Sequence, residues 1–364
     1  MIEQNTHRLW MTVGAIIVGA VLIFSFRDEV GQVLGATLSK FGIEIDSSFS
    51  DKDDPEVVAG MFDYDKDSKM ILGFASDYAH KDSTLVIPEE YEGQEVMGVA
   101  DQAFFDLESG SSDIPTVKSL VVENGVDYIG TYAFAMAPEL TEVTLPDNLT
   151  SGGTGILFGV NLDSLFVPKS MKVIKSEFTG LKLKNLVLSE GVERIEGVFN
   201  FDGEIKLPST LKYIGNSAFF GMSNTKLVIP DSVEYIGDQA FNFGATKMSN
   251  LTEIILGKNV KYIGTSAFKW AAVTDLTLPD NLEYIGETAF RDAKLTSLSI
   301  PDSVKTIGDY AFEKSQLNDF TMSKNIESLG TGVFSVKSSF MDTFDYSAYP
   351  NLSKYDNQFS ILKF

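Results

Sequence analysis

Between residues 85 and 334 apolar side chains return in a fixed order. Two leucine-like residues flank one outward position, a proline or polar turn follows, then Val or Leu, Ile, and an Ala-Phe pair. LVIPDSVEYIGDQAF begins at Leu227, LTLPDNLEYIGETAF at Leu276 and LSIPDSVKTIGDYAF at Leu298. The L-x-L alternation predicts a short strand with its two leucines buried and its middle residue outward. Proline ends it by lacking a ladder N–H, and Asp-Asn or Asp-Ser turns the chain. The recurring Phe falls at Phe104, Phe134, Phe158, Phe178, Phe199, Phe219, Phe241, Phe268, Phe290, Phe312 and Phe334, eleven units with a modal spacing of 22. One such unit cannot bury its apolar side alone, so the units must stack. The prediction is a repeat solenoid, right-handed and mostly β, of about eleven coils over residues 85–334, roughly 50 Å long at ~4.8 Å per coil.

Outside that span the pattern changes. Residues 9–26 (LWMTVGAIIVGAVLIFSF) carry no charge. As a helix they would reach ~27 Å, close to the ~30 Å of a bilayer core. Arg8 precedes the run and Arg27, Asp28 and Glu29 follow it, which favours the amino terminus inside and the repeats outside a single-pass span. No Ala-x-Ala-like site follows directly, so a retained anchor is preferred to a cleaved signal. Apolar residues continue at spacings of three and four through Val30, Val33, Leu34, Leu38, Phe41 and Ile45. One long amino-terminal α-helix over residues 1–45 is therefore predicted. Small residues four apart, Ala15 with Gly19 and Gly31 with Gly35, would let two such helices approach closely. With Val30, Leu34, Leu38 and Phe41 they form the candidate self-association stripe. An acidic linker (46–60), a hairpin cap (61–84) and a carboxy-terminal cap (335–364) complete the layout. Asp63, Asp65 and Asp67 imitate a calcium loop, but Ser68 stands where its Gly is needed and Phe74 where its bidentate Glu is needed. A hairpin turn at DKDS is the better reading.

The repeats closely resemble the BspA-type (Treponema-type) leucine-rich repeats, whose pattern is L-x-x-L-x-L-P-x-x-V-x-x-I-x-x-x-A-F. The opening copy, LVIPEEYEGQEVMGVADQAF, matches that family's usual first repeat. Many members carry a Cys shortly after the Phe; here Gly221, Gly244, Ala271 and Ala293 stand in that region. The resemblance implies bacterial surface exposure, adhesion or host interaction, and no enzyme activity. Residues 9–45, with LGATLSKFGIEI after the apolar run, are weakly similar to Flp-type pilins but lack their processing site and the Glu that follows it. That similarity implies an alternative in which helices pack in a filament core, an adhesive, secretion or conjugation pilus, and the repeats decorate its outside.

Composition narrows the chemistry. There are 29 Lys and Arg against 51 Asp and Glu, a net charge of −22, which argues against a nucleic-acid partner. Cys is absent and His occurs only at His7 and His80, which removes thiol nucleophiles, disulfides and Cys-based zinc sites. No catalytic constellation, cofactor or metal site is predicted. The residue directly after each turn's Val or Leu counterpart sets up one ladder, and the residue next to it a second. One alternates Lys172, Glu193, Lys212, Glu234, Lys261, Glu283, Lys305 and Glu327, and the other stacks Tyr213, Tyr235, Tyr262 and Tyr284. Function is expected on the outward L-x-L positions, where the candidate ligand-binding residues are Thr144, Phe166, Val187, Lys206, Val228, Ile255 and Thr277. Phe166, Val187, Val228 and Ile255 are the most informative, because a row of apolar residues on a solvated sheet suits a partner that covers it. The expected partner is a protein or glycan on another surface, the protein itself being held to the membrane through residues 9–26.

Overall fold

The computed structural model describes residues 57–201, 203–220, 222–242, 250–337 and 359–362. The predicted amino-terminal helix, its membrane span and the self-association stripe from Ala15 to Phe41 lie outside the described residues, as does most of the carboxy-terminal cap. Among the described residues no helix is long and apolar enough to cross a membrane.

Strands Phe62–Asp65 and Met70–Phe74 form an antiparallel hairpin. Its turn is tied by Asp65, whose carboxylate accepts from the N–H groups of Asp67 and Ser68 and from the Ser68 hydroxyl. These bonds, the Ser68 hydroxyl first, hold the Asp65 carboxyl below its ordinary range. Met70–Phe74 then pairs in parallel with Gly98–Val99, so the hairpin supplies the rung on which the first coil is laid.

Each subsequent coil has two strand faces and one aromatic corner. On the first face lie two-residue strands centred on Tyr-Ile. A first ladder runs through Gly98–Val99, Tyr128–Ile129 and Ser151–Gly152. A second, eight-stranded sheet joins Val173–Ile174, Arg194–Ile195, Tyr213–Ile214, Tyr235–Ile236, Tyr262–Ile263, Tyr284–Ile285, Thr306–Ile307 and Ser328–Leu329 in order. The glycine that follows each Tyr-Ile lies here because coils meet backbone to backbone, rather than because the turn needs a positive φ. A Cβ on Gly286 would stand 2.5 Å from the carbonyl carbon of Gly264.

At the aromatic corner the residue two before the Phe takes the left-handed region. Gln102, Tyr132, Ser217, Gln239, Ser266, Thr288 and Tyr310 have φ between 53° and 59°. This conformation costs an L-residue roughly 1–2 kcal/mol. It also aims N–H groups at the next coil: Gln239 donates to the Thr265 carbonyl at 2.8 Å and Phe290 to that of Ala311 at 2.8 Å. The Phe rings stack behind these bonds with centroids 5.3 to 6.3 Å apart, as in Phe268–Phe290 and Phe199–Phe219. Full burial of one such ring stabilises the fold by about 1.5–3 kcal/mol before packing terms.

Phe158 is not part of this stack. It is 39% exposed, and Leu157 occupies the buried slot. Gly155 takes the left-handed φ of +60° two residues before Leu157, and Phe134 donates to the carbonyl of Ile156 just ahead of it. In the run Ile-Leu-Phe the corner geometry therefore selects the leucine and turns the phenylalanine outward, edge-on to Tyr132 at 5.5 Å.

The neighbouring coil carries a second irregularity. Where most other coils place Ala before Phe, this one places Glu177, only 3% exposed, beside Phe178. Its carboxylate accepts from the Lys175 N–H at 2.5 Å and is also held by the Gly152 N–H. Gly152 belongs to the first Tyr-Ile ladder and Lys175 directly follows the Val173–Ile174 strand of the second, so Glu177 bridges the seam between the two. Burial pushes its carboxyl pKa up, and the backbone donors oppose that only in part.

Candidate binding face

The second face carries the L-x-L strands, and their spacing of two sets what they present. Leu165, Val167, Leu186, Leu188, Leu227, Ile229 and Ile254 are buried in the continuous core, which turns the residues between them to solvent. Phe166 is 51% exposed, Val187 48%, Val228 49% and Ile255 43%. Thr144, Lys206 and Thr277 are likewise exposed.

The sheet beneath these residues is not continuous. Thr84–Ile87, Ser119–Val122 and Glu142–Thr144 form one parallel group. Asn161–Val167 and Lys182–Leu188 form a second, with Phe166 directly opposite Val187. Lys226–Val228 and Glu253–Ile255 form a third, with Val228 opposite Ile255. Ser297–Ser299 and Asp319–Thr321 form a fourth, where Ser299 and Thr321 share a hydrogen bond at 2.8 Å. Residues 205–207 and 276–278 pass through the face without strand pairing. At the first break the buried Asn224 takes the place of a neighbouring strand. Its Oδ1 accepts from the Ile205 N–H at 2.9 Å, and its Nδ2 donates to the carbonyls of Ile205 at 3.1 Å and Lys226 at 3.2 Å.

The predicted site residues thus sort into distinct places. Phe166 with Val187, and Val228 with Ile255, make two apolar pairs on successive coils, and Lys206 lies on the interrupted coil between them. Thr144 belongs to the preceding group and is paired with Val121. Thr277 lies on the second interruption itself, where the outward row passes from Ile255 to the hydroxyls of Ser299 and Thr321.

The flanks of the apolar pairs are charged. Lys184 bonds Asp163 at 2.6 Å beside the first pair, and Lys226 bonds Glu253 at 2.6 Å beside the second. Lys206 makes no salt bridge among the described residues. Its charge contributes, after the hydrogen bonds from Ser209, to holding the Glu190 carboxyl below its usual range. The outward reading of L-x-L missed Lys184, Lys226 and Asn224 because it followed only the central position of each strand. A local composition count would have found the lysines: residues 160–229 hold nine Lys and Arg against seven Asp and Glu in a chain of net charge −22.

On the opposite face the stacking is tighter. Tyr213, Tyr235, Tyr262 and Tyr284 stack with centroids 4.5 Å apart and planes within 7°. The Arg194 guanidinium caps the row 3.6 Å from the Tyr213 centroid. Burial raises the pKa of the Tyr235 and Tyr262 hydroxyls. Beside them Lys212 bonds Glu193 at 2.6 Å, Lys261 bonds Glu234 at 2.7 Å, and Lys305 approaches Glu283 at 3.9 Å. Tyr235 and Tyr262 each lie between two tyrosines, an arrangement that holds coils together.

A family model described as a BspA type leucine rich repeat region matches residues 112–201, 175–269 and 243–348. Among curated proteins none matches the sequence. Among solved structures the chain is similar to a leucine-rich repeat protein from Bacteroides ovatus, with 17% identity, a TM-score of 0.37, and 85% of this chain and 100% of that one aligned. It is similar to the T. pallidum leucine rich repeat protein at 18% identity and a TM-score of 0.27, over 79% of this chain and 94% of that one. It is similar to the pneumococcal vaccine antigen PcpA at 15% identity and a TM-score of 0.40, over 84% of this chain and 99% of that one.

Proposed function

Since the chain belongs to the BspA-type leucine-rich repeat family, we propose that it is a cell-surface binding protein whose L-x-L face on the middle coils adheres to a protein or glycan of another surface. The observation that carries this reading is the quartet Phe166, Val187, Val228 and Ile255, each more than two-fifths exposed on strands whose inward neighbours are buried, Leu256 only partly. β-Branched residues suit strands anywhere, but an exposed Phe beside three of them forms an apolar patch that water solvates poorly. The later coils, with Thr277, Ser299 and Thr321, supply the contrast: the same backbone positions filled by hydroxyls. In this reading the uncharged residues 9–26 tether the protein to its membrane, with the repeats outside.

The test uses the whole chain on beads, scored for attachment to surfaces coated with extracellular-matrix protein or with mucin glycans. Phe166→Lys combined with Ile255→Lys should leave the melting temperature unchanged, because both side chains are already in solvent. Attachment should fall sharply, since a lysine buried against a partner loses apolar contact and its hydration. Undiminished attachment by the folded double variant would place the binding surface elsewhere.

A further inference from the structure

Resting on that reading, we infer that the occupant of the middle coils is an extended acidic polypeptide segment, apolar–x–carboxylate–x–apolar, whose carboxylate is taken by Lys206. Three observations converge on it. The first is charge: Lys206 and three of the quartet, Phe166, Val187 and Val228, lie in the stretch where cations outnumber acids, nine to seven over residues 160–229, with Ile255 just beyond its edge, while the remainder of the chain is strongly acidic. A partner bearing negative charge is attracted to this stretch and repelled by the coils on either side, which fixes its register.

The second is the state of Lys206. Lys184 and Lys226 are each engaged by an acid at 2.6 Å, whereas Lys206 is exposed, without a salt bridge among the described residues, at the centre of the face. It occupies the coil where strand pairing is replaced by the Asn224 side chain, so the cation stands between the two apolar pairs rather than within either sheet.

The third is spacing. Phe166, Val187, Lys206, Val228 and Ile255 fall on five successive coils. At ~4.8 Å per coil the centres of the two apolar pairs are three coils, or about 14 Å, apart, with Lys206 midway. In an extended chain side chains at i and i+4 are also about 14 Å apart on one face, with i+2 midway. One strand laid along the solenoid therefore places an apolar side chain on each pair and a carboxylate on Lys206, with no adjustment of either backbone.

The experiment titrates the full chain with a blocked, fluorescently labelled peptide Ser-Leu-Ser-Glu-Ser-Leu-Ser and with its Glu→Lys counterpart. The Glu peptide should bind at least about tenfold more tightly, a gap that shrinks as salt rises. Lys206→Glu should reverse the preference, and this reversal is a result that a merely destabilised variant would not produce. Equal binding of both peptides, lost in Phe166→Ser with Ile255→Ser, would keep the apolar face and overturn the acidic-segment inference. Glu-peptide binding that survives Phe166→Ser with Ile255→Ser would overturn the choice of face itself. Failure of both peptides to bind, or heparin binding at Lys206 in preference to the Glu peptide, would also overturn the inference, the latter in favour of a sulfated glycan.

Discussion

The two strand faces of the solenoid come from the same repeat and follow different rules. On the Tyr-Ile face eight strands run in register without a break from Val173 to Leu329, and like stacks on like. On the L-x-L face the pairing is cut into groups, and the outward side chain changes from Thr to Phe to Lys to Val between coils. The difference lies in what holds each face. A two-residue strand buries only one side chain, its Ile, so it depends also on backbone approach through glycine and on ring stacking, and both demand repetition. The L-x-L segment is held by its two buried leucines, so it stays in place even where its ladder is interrupted, and its middle residue is free to vary.

The sharpest way to break this comparison is at the corner shared by both faces. Phe290→Ala should cost about 3–5 kcal/mol, because the ring is fully buried between Phe268 and Phe312. Thr277→Ala, on the variable face, should cost under about 0.5 kcal/mol. Equal shifts in Tm for the two would mean that inside and outside have been assigned wrongly. Next in size is Gly286→Ala, whose Cβ would press on the preceding coil's backbone at 2.5 Å. It should cost about 1–3 kcal/mol in chemical denaturation, and a neutral result would show that the Tyr-Ile face yields as readily as the other.

The smallest effect concerns the seam where the Tyr-Ile ladder restarts. Burial raises the Glu177 carboxyl pKa, so the fold favours its protonated form. The stability it contributes is complete below the ordinary carboxylate range and is lost as pH rises through the raised folded value. Glu177→Gln, uncharged throughout, should therefore gain in Tm over the wild type as pH goes from about 4 to about 7. A difference that stays constant across that range would show that the carboxyl titrates as if in water.

Much of this architecture was legible in the residues themselves, and the exceptions have physical causes. The repeat period, the buried Phe row and both ladders of the Tyr-Ile face follow from residue identity at fixed spacing. Phe158 was misplaced because Leu157 and Phe158 are equally apolar neighbours. Only the left-handed turn at Gly155 decides which one enters the core. The break at residues 205–207 was hidden because it depends on one amide side chain, Asn224, three residues before the next L-x-L leucine. Of the candidate site, the apolar quartet was visible as outward positions. Its division into two pairs around a cation required knowing which coils are paired.

The charge ladder beside the tyrosines has a consequence for how such a chain can lengthen or shorten. Glu234 meets Lys261, and Glu283 meets Lys305, so the sign pattern repeats every second coil while the backbone repeats every coil. Excising residues 269–290 would leave Phe268 to donate to Ala311 as Phe290 now does at 2.8 Å, and the rings would restack. It would also set Lys261 against Lys305. Excising residues 269–312 keeps the same joins and sets Lys261 against Glu327. The backbone is thus indifferent to parity and the surface charge is not. Of the two deletions the larger should show the better ionic match across its new junction.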